Sequence, residues 1–484
     1  MSLKIFHILS DYIFVANIIL ASIVLFLERK KPVSTLFWIV ILLLTSYFGF
    51  IAYLFFGMQF YKKRNTEKFY SRNFLREVYK KNHYKVQLVE KRERLVKYIG
   101  NATGNRITYL NNTYFFKMGK PFFKAMIEEI EKAKETIHME YYIFNDDEFG
   151  GKIYDLLIKK AKEGVKVRII VDGIGTKKLS RKRKKELKKA GIELGIFFPS
   201  YFPVFKFVNL RANYRDHRKL CIIDGLVLFT GGFNIGKEYI GEGKFGNWRD
   251  TGARIAGEIA VDADREFMIS WNFVHKQNKI HDADQKLKNK VEYIDAIKDK
   301  YHINAMQVVG NGPNYETRVV RDTFAKLIAN AKSSVYIETP YFVPDDTLLD
   351  ALKMAVLSGV EVKIIVPHVG DHPFIYWANQ GFIVELLEVG AEVYRYMDGF
   401  FHSKFIIVDN EVASFGSSNF DYRSLYQNFE INFNVYDLEL VGYLKQIFFE
   451  DITKCHALSY EIMKDRKTSE KIKESLTRLL SPVI

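Results

Sequence analysis

Two histidines stand at the head of matching sets of polar residues. His217 is followed by Lys219, Asp224, Gly231 and Asn234; His402 is followed by Lys404, Asp409, Gly416 and Asn419, at the same four spacings. A lone His-x-Lys means nothing, but four matched intervals recurring far along the chain are specific. The residues after each histidine are apolar and β-rich, Leu220-Cys221-Ile222-Ile223 and Phe405-Ile406-Ile407-Val408. Residues two apart on a strand share a face, so each His and Lys can project together toward one phosphate. The glycines permit a tight turn or a close backbone approach, from which Asn234 and Asn419 are expected to donate their amides to phosphate oxygens. Asp224 and Asp409 belong to the motifs and are grouped with the catalytic residues. Their odd separation from the histidines, near the strand ends, turns them away from the imidazoles and toward hydrogen bonds that hold the following turn.

Elements must bring these two sets together, and the chain supplies them by repeating itself. Thr136-Ile137-His138-Met139-Glu140-Tyr141-Tyr142 matches Ser334-Val335-Tyr336-Ile337-Glu338-Thr339-Pro340, and 164–171 matches 359–366. Strands that become continuously apolar are buried on both faces. Helical patterns at 151–163 and 347–358 separate them, which predicts an α/β sandwich in each half. A polar stretch near 276–302 divides the halves, and the expected domains are 105–290 and 291–484. The tail Thr477-Arg478-Leu479-Leu480 is expected to end a helix that packs back on the second half.

The first hundred residues have a different character. The stretch from Val33 to Gly57 carries no charge, and Tyr12 to Leu27 is a second, shorter apolar run. Glu28-Arg29-Lys30-Lys31-Pro32 lies between them. This predicts a two-helix transmembrane hairpin over 1–61, since the longer run at helical rise spans about 37 Å against a hydrocarbon core of about 30 Å. A basic juxtamembrane segment follows over 62–104; residues 62–97 hold thirteen Lys/Arg and four Asp/Glu. That excess favours a multi-pass protein of the cell membrane with cytoplasmic main domains and attraction to an anionic leaflet. The net charge of +15 suits nucleic acid, anionic lipid or a phosphate ester equally. Only Cys221 and Cys455 occur, and they form neither a metal spacing nor a disulfide framework.

The paired motifs resemble those of the phospholipase D superfamily, in which two such motifs meet at one active site. Asn213-Tyr214-Arg215-Asp216-His217-Arg218-Lys219, Gly231-Gly232-Phe233-Asn234-Ile235-Gly236 and Trp248-Arg249-Asp250-Thr251 are similar to the first half of bacterial cardiolipin synthases. The stretches 339–345, 417–424 and 427–430 are similar to their second half, so the resemblance covers essentially the whole chain. It implies two pseudo-symmetric phospholipase D-like domains and a phosphatidyltransferase that joins two phosphatidylglycerols into cardiolipin and glycerol. It also implies a phosphohistidine on His217, with His402 as acid and base. Both motifs are complete, so spacing alone does not choose between the histidines. Two imidazoles in different protonation states need carboxylates to orient them. Asp250, downstream of His217, and Glu430, downstream of His402, are assigned that part. No metal or other cofactor is implied, because lysines carry the charge work.

The superfamily also holds nucleases and phospholipases. The apolar hairpin argues for a bilayer substrate, phosphatidylglycerol or another anionic phospholipid, and against nucleic acid. A second argument is the longer segment before His217, which contributes Phe197, Phe198, Tyr201, Phe202, Phe205 and Phe207 as a lipid entrance or as core packing. Hydrolysis or headgroup exchange would use the same residues with another acceptor. A catalytically idle lipid-binding protein would not need six intact motif residues. The oligomeric state stays open, a homo-oligomer being compatible with the sequence.

Overall fold

Runs of β-branched and aromatic residues with little charge build a sheet in the main body of the protein. The structure, a computed structural model, describes residues 15–23, 25–26, 32–45, 48–49, 53, 87–198, 214–275, 279–280, 283–370 and 373–479. The first half contributes β1 (Ile107–Met118), β2 (Thr136–Tyr141), β3 (Lys166–Asp172), β4 (Glu193–Phe197), β5 (Lys219–Ile223), β6 (Val227–Gly231) and β7 (Trp248–Gly257). The second contributes β8 (His302–Asn311), β9 (Ser334–Glu338), β10 (Phe342–Val343), β11 (Glu361–Pro367), β12 (Glu392–Tyr396), β13 (Phe400–Phe401), β14 (Phe405–Val408), β15 (Val412–Gly416), β16 (Phe420–Asp421), β17 (Glu430–Val435) and β18 (Cys455–Ala457).

The sheet order is β18-β12-β11-β9-β14-β15-β17-β8-β1-β7-β6-β5-β2-β3-β4. Read outward from the antiparallel β1–β8 pair, β1-β7-β6-β5-β2-β3-β4 mirrors β8-β17-β15-β14-β9-β11-β12. The halves therefore share one continuous sheet. The expected helices run Glu148–Lys162 and Asp346–Leu357, each capped by an aspartate, Asp147 and Asp345, that accepts backbone N–H groups of the first turn. A buried aliphatic and aromatic core lies in each half, around Met126, Ile137 and Phe229 in the first and Val335, Leu352 and Ile406 in the second. The terminal helix Thr468–Leu479 packs back as expected, with Arg478 over the Phe382 ring at 4.6 Å.

Two expectations change. Part of the stretch read as a juxtamembrane segment is a structural element: the helix Glu93–Thr103 buries Leu95 and Ile99 in the core of the second half. The transmembrane hairpin is not found among the described residues, where no helix is long and apolar enough to cross a membrane. The apolar run contributes the described helix Pro32–Thr45. Trp38, Leu42 and Tyr53 form a small buried cluster there, with Leu20 against it. Leu36, Phe37, Val40, Leu43 and Leu44 stay exposed. The charged turn at 28–31, the basic stretch 62–86 and the aromatic residues 201–207 lie outside the described residues.

Asp224 and Asp409 do not join the catalytic residues. Each ends its strand in a left-handed conformation, φ 53° and 56°, about 20 Å of extended chain beyond its histidine. The Asp224 carboxylate accepts the backbone N–H groups of Lys134, Glu135 and Thr136 at 2.9, 2.7 and 2.9 Å. Asp409 accepts those of Lys332 and Ser333 at 2.7 and 2.8 Å and a guanidinium N–H of Arg92 at 3.0 Å. Both hold the turn that enters the neighbouring strand, β2 or β9. Hydrogen bonds to a charged group are worth about 1.5–3 kcal/mol each. Asp224→Ala and Asp409→Ala are therefore expected to lower unfolding free energy by a few kcal/mol, while turnover per folded molecule stays close to wild type. Denaturant melts beside active-site-normalised rates check this.

Candidate active site

The two motif histidines are each sewn to the opposite half of the sheet. His217 N–H donates to the Phe429 carbonyl at 2.9 Å, and Phe429 N–H donates to the Arg215 carbonyl at 2.8 Å. In the mirror arrangement, His402 N–H donates to the Arg249 carbonyl and Phe400 N–H to the Asn247 carbonyl, both at 2.8 Å. The next residue after Phe429 is Glu430, and the next after Arg249 is Asp250. Backbone pairing thus delivers each acid to the other half's histidine. His217 Nδ1 lies 3.0 Å from Glu430 Oε2, and His402 Nδ1 lies 2.6 Å from Asp250 Oδ2.

Both acids are fully buried. Burial works to raise the Asp250 carboxyl, yet Lys404 and His402 hold it below the usual range. Burial likewise opposes ionisation of Glu430, and His217, Lys219 and Ser417 outweigh it. An ionised carboxylate only accepts, so each imidazole donates from Nδ1; Nε2 then carries a lone pair on a neutral ring and a proton on a charged one. Burial pushes His217 down, reinforced by Lys219 and Lys404 and opposed by Glu430, which favours the neutral ring a nucleophile needs. Lys404 Nζ is 2.9 Å from His402 Nδ1 and 3.9 Å from Asp250; Lys219 Nζ donates to the His217 carbonyl at 2.6 Å. Two lysines beside two imidazoles suit an anion, and an imidazole is a group able to attack it or to move a proton.

Burial pushes the Lys219 ammonium down to about 7, with Lys404 adding to the effect and Glu430 opposing it. An anionic substrate binds the charged form, so affinity is lost as pH rises through that value. We expect kcat/KM, which reports the free enzyme, to fall on the alkaline side near neutrality. The acid limb should lie below the ordinary histidine range. Arginine stays charged throughout, so Lys219→Arg should remove the alkaline limb; pH profiles of the two proteins check this.

The asparagines do not offer their amides as expected. Asn234 braces a loop, its Oδ1 accepting Ile143 N–H at 3.1 Å and its Nδ2 donating to Tyr239 Oη at 2.9 Å. Asn419 Nδ2 donates to Asp421 Oδ2 at 3.0 Å. Residues not singled out beforehand complete the site. Ser417 Oγ donates to Glu430 Oε2 at 2.5 Å. At the matching position in the first half, Gly232 leaves Asp250 room; a Cβ there would meet Asp250 Oδ1 at 1.9 Å. Beneath the motifs, Glu140 faces Arg218 at 3.4 Å and Glu338 faces Arg249 at 3.5 Å, all four buried. The signal for these acids was present in the sequence as a carboxylate recurring inside two matched apolar strands.

Residues 126–261 and 324–452 match the family profile described as "Cardiolipin synthase, PLD-like domain". Residues 15–57 match one described as "Phospholipase_D-nuclease N-terminal". Among curated proteins, the chain is 39% identical to a cardiolipin synthase of Oceanobacillus iheyensis, over 97% of this chain and 98% of that one. It is 38% identical to the major cardiolipin synthase ClsA of Bacillus subtilis over the full length of both. A phosphatidylserine synthase from Haemophilus influenzae superposes with a TM-score of 0.61 at 16% identity, covering 81% of this chain and all of that one, a likeness of fold.

Proposed function

Because the chain belongs to the cardiolipin synthase family of phospholipase D-like proteins, we propose that it moves a phosphatidyl group from one phosphatidylglycerol to another. His217, Lys219, His402 and Lys404 are the catalytic residues of this reading, with Glu430 and Asp250 as positioning residues, and the halves are taken as 105–290 and 291–484. Lys219 and Lys404 neutralise the non-bridging oxygens of the donor phosphate, whose charge otherwise repels a nucleophile. His217 Nε2 attacks phosphorus. The P–N bond forms as the P–O bond to glycerol breaks, and His402 gives its Nε2 proton to the departing oxygen. The terminal hydroxyl of a second phosphatidylglycerol then enters, surrenders its proton to His402 and displaces His217. The products are cardiolipin and glycerol, with both histidines restored.

One observation carries the reading: two imidazoles, each turned by a carboxylate from the other half, share a buried site with two lysines. Membrane association is part of it. Exposed Leu36, Phe37, Val40, Leu43 and Leu44, beside helical residues 15–23, make an apolar surface suited to a bilayer. The anchor is taken to be multi-pass, in the cell membrane, with the catalytic halves on the cytoplasmic side. Purified protein incubated with phosphatidylglycerol vesicles should yield cardiolipin and free glycerol in equal amounts. Phosphatidic acid as the only lipid product would replace this reading with hydrolysis.

A further inference from the structure

The surroundings of the two histidines differ where a strictly repeated site would make them alike. His217 meets the Tyr142 ring at 5.2 Å. His402 also meets a tyrosine, Tyr341 at 6.4 Å, but adds Trp248 at 5.4 Å and Phe400 at 5.9 Å, and Trp248 itself packs on Phe400 at 4.5 Å and Tyr239 at 4.7 Å. Two residues before Glu430 stands Asn428, whose amide donates to Glu430 Oε1 at 3.3 Å and so braces the acid. Two residues before Asp250 stands Trp248, whose indole N–H finds no acceptor among the described residues although the side chain is only 7% exposed. A buried donor left unpaired is destabilising. A phenylalanine would pack on the same neighbouring rings without that cost.

The reaction gives this donor a use. If His402 protonates the leaving oxygen, the glycerol headgroup lies on the His402 side, beside Trp248. Glycerol hydroxyls accept hydrogen bonds, whereas an ammonium headgroup presents only donors. We propose that the Trp248 indole N–H donates to a headgroup hydroxyl of the donor lipid, making Trp248 a specificity determinant for hydroxylated headgroups. This rests on the phosphatidylglycerol reading above. It fits a site whose charged groups are committed to the phosphate and the histidines and whose His402 side carries aromatic rings.

The test compares release of a labelled headgroup from trace phosphatidylglycerol, phosphatidyl-1,3-propanediol and phosphatidyl-1-propanol in mixed micelles with a fixed excess of unlabelled phosphatidylglycerol, which supplies the acceptor hydroxyl, using the full-length protein and Trp248→Phe. Wild type should favour phosphatidylglycerol over phosphatidylpropanol in kcat/KM by about tenfold, the equivalent of one hydrogen bond. Trp248→Phe should bring that ratio close to one; the propanediol lipid tells whether the central hydroxyl is the acceptor. A folded Trp248→Phe with the wild-type ratio, both substrates losing rate in proportion, overturns the proposal in favour of simple packing. Should that variant not fold, the wild-type series decides, and equal rates on phosphatidylglycerol and phosphatidylpropanol sink the idea. Cardiolipin formation with an unmoved ratio refutes this inference alone. A collapsed ratio with no cardiolipin formed supports it and refutes the transferase reading.

Discussion

His217→Asn should lose transfer activity by at least about 10⁴-fold, as loss of a nucleophile does in enzymes that use covalent catalysis. His402→Asn should lose as much on phosphatidylglycerol, because glycerol leaves poorly without a proton. The two separate on a lipid whose leaving group needs none. With phosphatidyl-p-nitrophenol, His402→Asn should release about one equivalent of nitrophenolate per enzyme and then stall, holding the phosphatidyl group on His217. His217→Asn should give no such burst. The chemistry follows from the geometry: with each Nδ1 turned to a carboxylate, Nε2 is the ring nitrogen left to react, and burial with two nearby lysines lowers the His217 pKa. A burst from His217→Asn and none from His402→Asn would reverse the two roles.

The second large effect concerns the crossed carboxylates. Glu430→Gln and Asp250→Asn should each cost about 10²–10⁴-fold in turnover, since an amide no longer fixes the Nδ1–H tautomer of its histidine. The informative measurement is the burst in the His402→Asn background. Adding Asp250→Asn should leave that burst rate unchanged, because Asp250 bonds to His402, which is already gone. Adding Glu430→Gln should slow it by the full factor, because Glu430 bonds to His217. Pairing each acid with the histidine of its own half predicts the opposite pattern. The cycle therefore reads tertiary connectivity through kinetics.

The crossing explains why part of the site is legible in the sequence and part is not. Spacing places His and Lys on one strand face because a strand has a period of two, and the same parity carries Asp224 and Asp409 away from the imidazoles. The repeat announces two α/β halves through matched strands such as 136–141 and 334–338. The acids Asp250 and Glu430 are recognisable from their neighbours, yet sequence distance pairs them with His217 and His402 in their own halves. Residue type alone makes Asn234 and Asn419 phosphate donors. Their amides are engaged by Tyr239 and Asp421, groups brought near by loops whose course no local pattern encodes. The expected hairpin rests on the uncharged run 33–57, and among the described residues no helix is long and apolar enough to cross a membrane.

By itself, the sequence determined the chemistry on offer: two histidines, two lysines and two carboxylates in a repeated α/β chain, enough for phosphodiester transfer. These are local properties, residue type and spacing along one strand. Only the tertiary structure decided which carboxylate serves which histidine. That depends on β7 pairing with β13 and on Phe429, next to β17, pairing with Asp216, contacts that join one half of the chain to the other. It also decided that the two flanks differ, with Trp248, whose indole N–H has no acceptor among the described residues, beside His402 and no counterpart beside His217. Burial does the rest. The same side chains in water would carry ordinary protonation, whereas enclosure lowers His217 and Lys219 below their usual values.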